Sequence, residues 1–143
     1  PRGVEFSAWP AVVAYLDSKD VGVVQAAALT LATHRVPEAQ PRLVDFLTHS
    51  NRILRYTVAS GLANYKDERA VPTLKEILFL KPEGSSGSSL QSAQVEALKL
   101  SLLTSLERNQ WPILNEDLSI VAKQDKSLKV AARAEEVLNL LKN

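Results

Sequence analysis

The sequence contains neither cysteine nor methionine, and its charges almost cancel. Without cysteine the chain cannot form disulfides, cysteine-based zinc sites or thiol nucleophiles. Seventeen Lys and Arg residues against sixteen Asp and Glu residues leave a net charge of +1, so no strong field attracts nucleic acid, acidic lipid or acidic substrates. No apolar run approaches the ~18 residues of a membrane-spanning helix, and Ala11–Leu16 is among the longest.

Methionine is missing even at position 1, so we expect the chain to be a processed or trimmed piece of a longer protein. The rest of the composition is ordinary for a soluble globular domain, with 143 residues of which 45% are hydrophobic and 23% are charged. A chain of this size can bury a core of its own. The composition therefore predicts one folded domain over residues 1–143 and leaves its function open.

An internal repeat is marked by four prolines, Pro10, Pro41, Pro72 and Pro112, at intervals of 31, 31 and 40 residues. An aliphatic residue stands two positions after each proline and a leucine stands six positions after it. Residues four apart lie on one face of a helix, so each proline is predicted to open a helix with a buried stripe. The leucines expected to be buried at equivalent positions are Leu16, Leu47, Leu78 and Leu118.

The third interval is nine residues longer than the first two, and residues 81–89 have the composition of a linker. Removing this segment restores the spacing of 31 residues. We therefore expect a flexible insertion over 81–89, between the two helices of the third repeat. Its even Gly-Ser-Ser-Gly-Ser-Ser pattern is also compatible with an engineered join.

A second helix is predicted in each repeat after a short polar turn. Small residues such as Ala27, Ala28, Ala59 and Gly61 recur on these helices and allow close packing between neighbours. No segment alternates apolar and polar residues for long, so no strand is expected. The repeats span about 8–35, 37–66, 67–109 and 110–143, and their second helices are predicted at Val21–Thr33, Arg52–Asn64, Gln91–Arg108 and Ser127–Lys142.

This helix–turn–helix unit of 31 residues resembles the HEAT repeat, in particular the short bacterial HEAT-like repeats named after the phycobilisome lyases. The match is best over residues 43–78, where Asn51 is the turn residue and Arg55 stands for the family's Arg. Asp67 and Pro72 match the short Asp- and Pro-containing segment that links one repeat to the next. The resemblance implies an all-α fold, a right-handed α-solenoid of about four antiparallel helix pairs, HEAT-like or armadillo-like. The second helices would then line a concave face.

In the family, a turn Asp and an Arg of the second helix often form a ladder between repeats. Aligning the turns here pairs Asp20 with Val24, Asn51 with Arg55, and Asp125 with Lys129. The first pair has no cation, so no continuous charged ladder is expected.

Residues that could carry chemistry are few. His34 and His49 fall near helix ends, and the chain has no His-x-x-x-His or HExxH spacing for a metal. No glycine loop has a phosphate-binding pattern. Adjacent carboxylates such as Glu116 and Asp117 point about 100° apart on a helix, so they do not share a site. We therefore expect no catalytic residues, no cofactor, no bound metal and no enzymatic activity.

Two tryptophans precede prolines of the repeat, in Trp9-Pro10 and Trp111-Pro112. We place them at equivalent positions of the first and fourth repeats. A tryptophan there can lie across the preceding helix pair as a hydrophobic staple, which is the role we expect. Stacking on a ligand is the alternative.

Candidate partner-binding residues are those that should point outward from the second helices. They are Gln25 in the first repeat and Arg52, Tyr56 and Ser60 in the second. Tyr and Arg are favoured anchors in protein interfaces, so Tyr56 and Arg52 are expected on the surface beside Gln25.

These observations favour a non-catalytic helical-repeat scaffold that binds a protein or peptide along its concave face, as part of a larger protein. Three alternatives stay open: pigment handling as in chromophore lyases, nucleic-acid binding as in HEAT-like DNA glycosylases, and a structural segment of a larger enzyme or receptor. The net charge counts against nucleic-acid binding, although the last repeat has a modest cationic stripe. The stripe comprises Lys123, Lys126, Lys129 and Arg133. Separately, a cytoplasmic location is weakly favoured.

Overall fold

The computed structural model describes residues 9–81 and 92–142. This part of the chain consists of α-helices and short 3-10 helices joined by turns, and it contains no strand. The fold class is therefore the predicted all-α solenoid of helix pairs. No helix within the described ranges has both the length and the hydrophobicity that a membrane crossing requires.

The chain divides into two compact units, Pro1–Ala70 and Val71–Asn143. In the first unit, helix α1 (residues 9–14) leads into a 3-10 turn at Tyr15–Asp17. The first unit continues with α2 (Val21–Thr33), α3 (Gln40–Asp45) and α4 (Arg52–Leu62), and the second unit contains α5 (Val71–Leu78), α6 (Ser92–Arg108), α7 (Asn115–Gln124) and α8 (Leu128–Lys142). The assignment of both units to one domain over 1–143 stays a prediction.

The second helices lie where the sequence predicts them. Helix α2 has the predicted bounds, α4 ends two residues early in a 3-10 turn at Ala63–Tyr65, and α8 begins one residue late. Helix α6 ends at Arg108 as predicted. The predicted insertion 81–89 lies, apart from Lys81, outside the described residues.

Three of these helices begin with a side-chain cap. The Asp20 carboxylate accepts hydrogen bonds from Gly22 N (2.9 Å) and Val23 N (3.3 Å). The Asn51 side chain accepts one from Leu54 N (3.0 Å). Such caps satisfy backbone donors that have no partner inside the helix.

The last helix is capped by Ser127, whose hydroxyl accepts from Val130 N (3.2 Å). Asp125, which the sequence alignment places beside Asp20 and Asn51, lies two residues earlier and accepts from Ser127 N (2.8 Å). In the second repeat, His49 is likewise two residues before the cap Asn51, and its Nδ1 accepts from Asn51 N (2.9 Å). The alignment of the last turn is therefore wrong by two residues, because Asp and Ser serve equally well at either of these positions.

Three of the second helices, α2, α4 and α6, end in a left-handed turn. Arg35, Lys66 and Gln110 have φ values of 51°, 53° and 53°. The next residue in each case donates its N–H to a carbonyl five residues back, at 3.0–3.2 Å, which is the Schellman pattern of helix termination. These bonds join Val36 to Leu31, Asp67 to Leu62, and Trp111 to Leu106.

This turn shows that the proline alignment is wrong in its last interval. Pro112 begins a 3-10 helix directly after the left-handed turn, as Pro37 does, whereas Pro41 and Pro72 lie one residue inside α3 and α5. Lys66 and Gln110 are 44 residues apart, compared with 31 for Arg35 and Lys66. Proline fits the first turn of either helix because no N–H is needed there, so its position alone does not set the register.

The corrected register brings Leu43, Leu74 and Leu118 to equivalent positions, and all three are fully buried. Of the four leucines predicted from the proline spacing, Leu16, Leu78 and Leu118 are buried and Leu47 is only half-buried.

The two tryptophans are not equivalent in the corrected register. Trp9 belongs to α1, is half-buried, and its ring centroid lies 5.0 Å from that of His34. Trp111 is buried in extended backbone just before a 3-10 helix, which agrees with a packing role.

Candidate binding surface

Helices α2 and α4 approach each other closely at Gly61. A Cβ atom added to Gly61 would lie 2.7 Å from the Cβ of Ala32, much closer than a van der Waals contact. The Asn64 side chain donates from Nδ2 to the Ala32 carbonyl oxygen (2.9 Å) at the same crossing. Helices α2 and α4 are therefore in direct contact within the first unit.

Tyr65 fixes the end of α4 against the end of α2. Its hydroxyl donates to the carbonyl oxygen of Val36 (2.7 Å) and lies 3.4 Å from that of Leu31. Burial, with a smaller contribution from the charge of Glu38, raises the pKa of Tyr65 to about 12. The phenol therefore stays protonated near neutral pH and keeps its donor.

Tyr56 does not lie on the surface, and its predicted exposure is wrong. Its side chain is fully buried, as is that of Leu54, although the two residues are about 200° apart around the helix. Helix α4 is thus covered on two opposite sides, as neighbours in a helix stack require. The apolar stripe of α4 that the sequence shows, Leu54, Val58 and Leu62, marks only one of these sides.

The other predicted contact residues are accessible. Gln25, Arg52 and Ser60 are each half-buried. Leu29, which stands 31 residues before Ser60, is 57% exposed and continues the same surface on α2. We call Gln25, Leu29, Arg52, Ile53, Thr57 and Ser60 the α2–α4 surface.

The surface combines half-exposed polar side chains with partly exposed apolar ones. Ile53 and Thr57 are four residues apart on α4, and Ser60 follows three residues later, so they lie on one face of the helix. Such a face can form both apolar contacts and hydrogen bonds with a partner, which is the usual composition of a protein interface.

Both histidines make local contacts near helix ends. The His34 ring packs against Trp9, and His49 accepts a backbone hydrogen bond at the start of α4 while its carbonyl oxygen accepts from Arg55 Nη1 (2.8 Å). Within residues 9–81 and 92–142, no three His, Cys, Asp or Glu side chains are grouped so that they could hold a metal ion.

Asp67 is a buried carboxylate with several hydrogen-bond partners. Its buried carboxylate accepts from the Arg69 guanidinium (2.6 and 2.9 Å), from Arg69 N (3.0 Å) and from Gln40 Nε2 (2.9 Å). The hydrogen bonds from Arg69 are the main reason that the pKa of Asp67 is lowered to about 2. The hydrogen bond from Gln40 joins α3 to the linking segment after α4. The family resemblance places an Asp in this segment.

The cationic stripe predicted in the last repeat is partly neutralised. Arg133 forms ion pairs with both Glu107 and Glu136. These pairs reduce the positive charge available to a phosphate backbone.

The family model for HEAT repeats matches residues 9–85, more than half of the chain. The chain belongs to the HEAT-repeat family. HEAT repeats are typically protein-interaction scaffolds, and the family is generally non-catalytic. No curated protein and no solved structure matches this HEAT-repeat chain significantly.

Sequence reasoning missed one group of residues in the second unit. Lys99 is buried on α6 and binds Asp125 at 2.6 Å, beside an open cavity lined in part by Phe79 and Ile120. The helical spacing around Lys99 does not distinguish it from a surface lysine. The sequence signal that could have indicated burial is that Lys99 has apolar neighbours on a predicted second helix.

Proposed function

We propose that this HEAT-repeat chain is a non-catalytic scaffold that binds a protein or peptide partner through the α2–α4 surface. The observation that carries the proposal is that Gln25, Arg52 and Ser60 stay partly exposed on two helices that pack closely at Gly61. Tyr56 is not a proposed contact, because it is buried.

The composition of this face supports the proposal. Arg52 provides a charged group at the start of α4, and Leu29 provides an apolar side chain that is 57% exposed. Arginine is over-represented among the residues that contribute most to interface affinity, and apolar neighbours exclude water around it.

The test is a selection of peptides from a random library for binding to the intact chain. Binders are counter-selected against the triple variant Gln25→Ala/Arg52→Ala/Ser60→Ala, so that only peptides that need the α2–α4 surface remain. For these peptides the triple variant should bind at least about tenfold more weakly, or about 1.4 kcal/mol.

The matched control is Glu38→Ala/Asp45→Ala/Thr48→Ala, three exposed residues elsewhere in the first unit. The control should change affinity by less than about twofold, and both variants should unfold at nearly the urea concentration of the parent. The proposal is wrong if no peptide survives counter-selection, or if the control weakens binding as much as the triple variant does.

A further inference from the structure

The second unit contains an open cavity of about 740 Å³. Its apolar lining includes Phe79 and Ile120, which are 43% and 41% exposed. Leu78, Leu80 and Val121 complete this lining. The volume is in the range of small-ligand pockets, and partly exposed apolar side chains at its opening leave contact area for a ligand that extends beyond it.

The polar lining of the cavity is cationic. Lys81 and Lys126 are exposed at its edge, and Lys99 is buried with 7% of its side chain accessible. Among the described residues of the lining, one carboxylate is present, Asp125, and Lys99 binds it at 2.6 Å. In the described lining, three ammonium groups against one carboxylate leave an excess of two positive charges around an apolar floor.

The Lys99–Asp125 pair is held rigidly. Asp125 Oδ1 accepts from Ser127 N (2.8 Å), and the Ser127 hydroxyl donates to Glu96 on α6 (2.7 Å). Lys99 Nζ donates to Asp125 Oδ2 at 2.6 Å, so the two charges of this pair cancel and the positive excess comes from Lys81 and Lys126.

We propose that this cavity binds an acidic peptide segment that presents a bulky apolar side chain between carboxylates. The apolar side chain would lie on Phe79 and Ile120, and the flanking carboxylates would pair with Lys81 and Lys126. This site lies in the second unit and is separate from the α2–α4 surface of the first.

A peptide fits this cavity better than a small amphiphilic acid does. A small-molecule pocket typically covers 70–90% of its ligand, whereas Phe79, Ile120 and both edge lysines are open to solvent. The two exposed lysines stand at the rim, where the residues before and after a bound side chain would pass. Charge at the rim chiefly guides association and selects partners, and the apolar floor would supply affinity.

The probe is the fluorescein-labelled peptide Gly-Asp-Glu-Phe-Leu-Glu-Asp-Gly, and binding to the intact chain is measured by fluorescence anisotropy. Two comparison peptides replace Phe-Leu by Ser-Ser, or replace every acidic residue by lysine. The acidic apolar peptide should bind at least about tenfold more tightly than either comparison peptide.

Two variants of the protein test the two parts of the site. Lys81→Glu/Lys126→Glu should weaken binding at least about tenfold, whereas Lys123→Glu/Lys129→Glu changes the net charge equally outside the cavity and should stay within about twofold. Phe79→Ser/Ile120→Ser should also weaken binding at least about tenfold, and Leu128→Ser, at an exposed leucine outside the cavity, should not.

The triple alanine variant at Gln25, Arg52 and Ser60 should leave binding of this probe unchanged, which separates this site from the α2–α4 surface.

Four results would overturn the proposal. The probe could fail to bind the intact chain, or the control variants could weaken it as much as the cavity variants do. Octanoate could displace the probe and bind more tightly, which would identify a site for small acids. Binding could also require deletion of residues 83–88, which would make the chain's own segment the occupant.

Discussion

At the scale of single residues, Asp67 shows how one buried carboxylate organises its surroundings. It follows the left-handed residue Lys66, in the position that Val36 and Trp111 occupy after the other left-handed turns. The Val36 side chain has no polar group, and that of Trp111 has only its indole N–H. A carboxylate in the same buried place requires hydrogen bonds to offset the loss of water, and Arg69 and Gln40 supply them.

Substitution Asp67→Asn should lower the free energy of unfolding by about 1 kcal/mol at pH 7, because the amide loses the ion pair with Arg69. The pKa of Asp67 is about 2 in the folded chain and about 4 when unfolded, so its contribution is complete above pH 4. It is lost as the pH falls from about 4 to about 2, and the parent and the variant should converge there. Urea unfolding at several pH values measures this.

The control for Asp67 is Glu68→Gln, which removes a neighbouring exposed carboxylate. Its stability should follow that of the parent at every pH. If Asp67→Asn kept a constant deficit from pH 7 to pH 2, the low pKa would not be the source of its contribution.

At the scale of helices, the α2–α4 contact depends on the absence of a side chain. Gly61 has ordinary helical backbone, since no described glycine has a positive φ, so its role is to leave space. The Cβ of Ala32 occupies that space. Glycine weakens a helix by ~1 kcal/mol relative to alanine, and here the close approach of two helices offsets that cost.

Gly61→Ala should destabilise the chain by about 1–3 kcal/mol, because the new methyl group forces the two helices apart. Gly22→Ala is the matched control, since its added Cβ would meet only Asp20 Oδ1 at 3.2 Å at an exposed position. The control should change stability by less than about 1 kcal/mol. Thermal and urea unfolding measure both.

The double variant Gly61→Ala/Ala32→Gly moves the methyl group from one helix to the other and should recover most of the stability. A double variant that is less stable than Gly61→Ala alone would show that the contact is not limited by this one pair of atoms.

At the scale of the whole molecule, one buried leucine position recurs in both units. Leu43 lies in the first unit, Leu74 and Leu118 lie in the second, and all three side chains are fully buried. A single helix pair cannot cover its own apolar face, so each repeat depends on such positions. The left-handed turns identify this position more reliably than the prolines do.

Leu118→Ala should lower the free energy of unfolding by about 2–5 kcal/mol, as is usual for a fully buried leucine. Leu47→Ala, at a position that the prolines place in the same set, should cost clearly less because Leu47 is half-buried. Urea unfolding followed by circular dichroism gives both values. Equal losses would contradict the corrected register.

The all-α fold class and the bounds of the second helices could be predicted because they depend on local order. Helical spacing of apolar residues, polar turn residues such as Asp20 and Asn51, and the 31-residue period are all visible along the chain. The family match over 9–85 confirms the recognition that this period gave. These signals act over a few residues, so they do not require knowledge of neighbouring elements.

Tertiary structure decided which side chains are buried and which positions are equivalent. Tyr56 lies outside the apolar stripe, yet packing on a second side of α4 buries it. The sequence does not show what would pair with Lys99, and the turn between α7 and α8 brings Asp125 to it. The physical reason is that burial and ion pairing depend on atoms distant in sequence, whereas helix formation and capping depend on near neighbours.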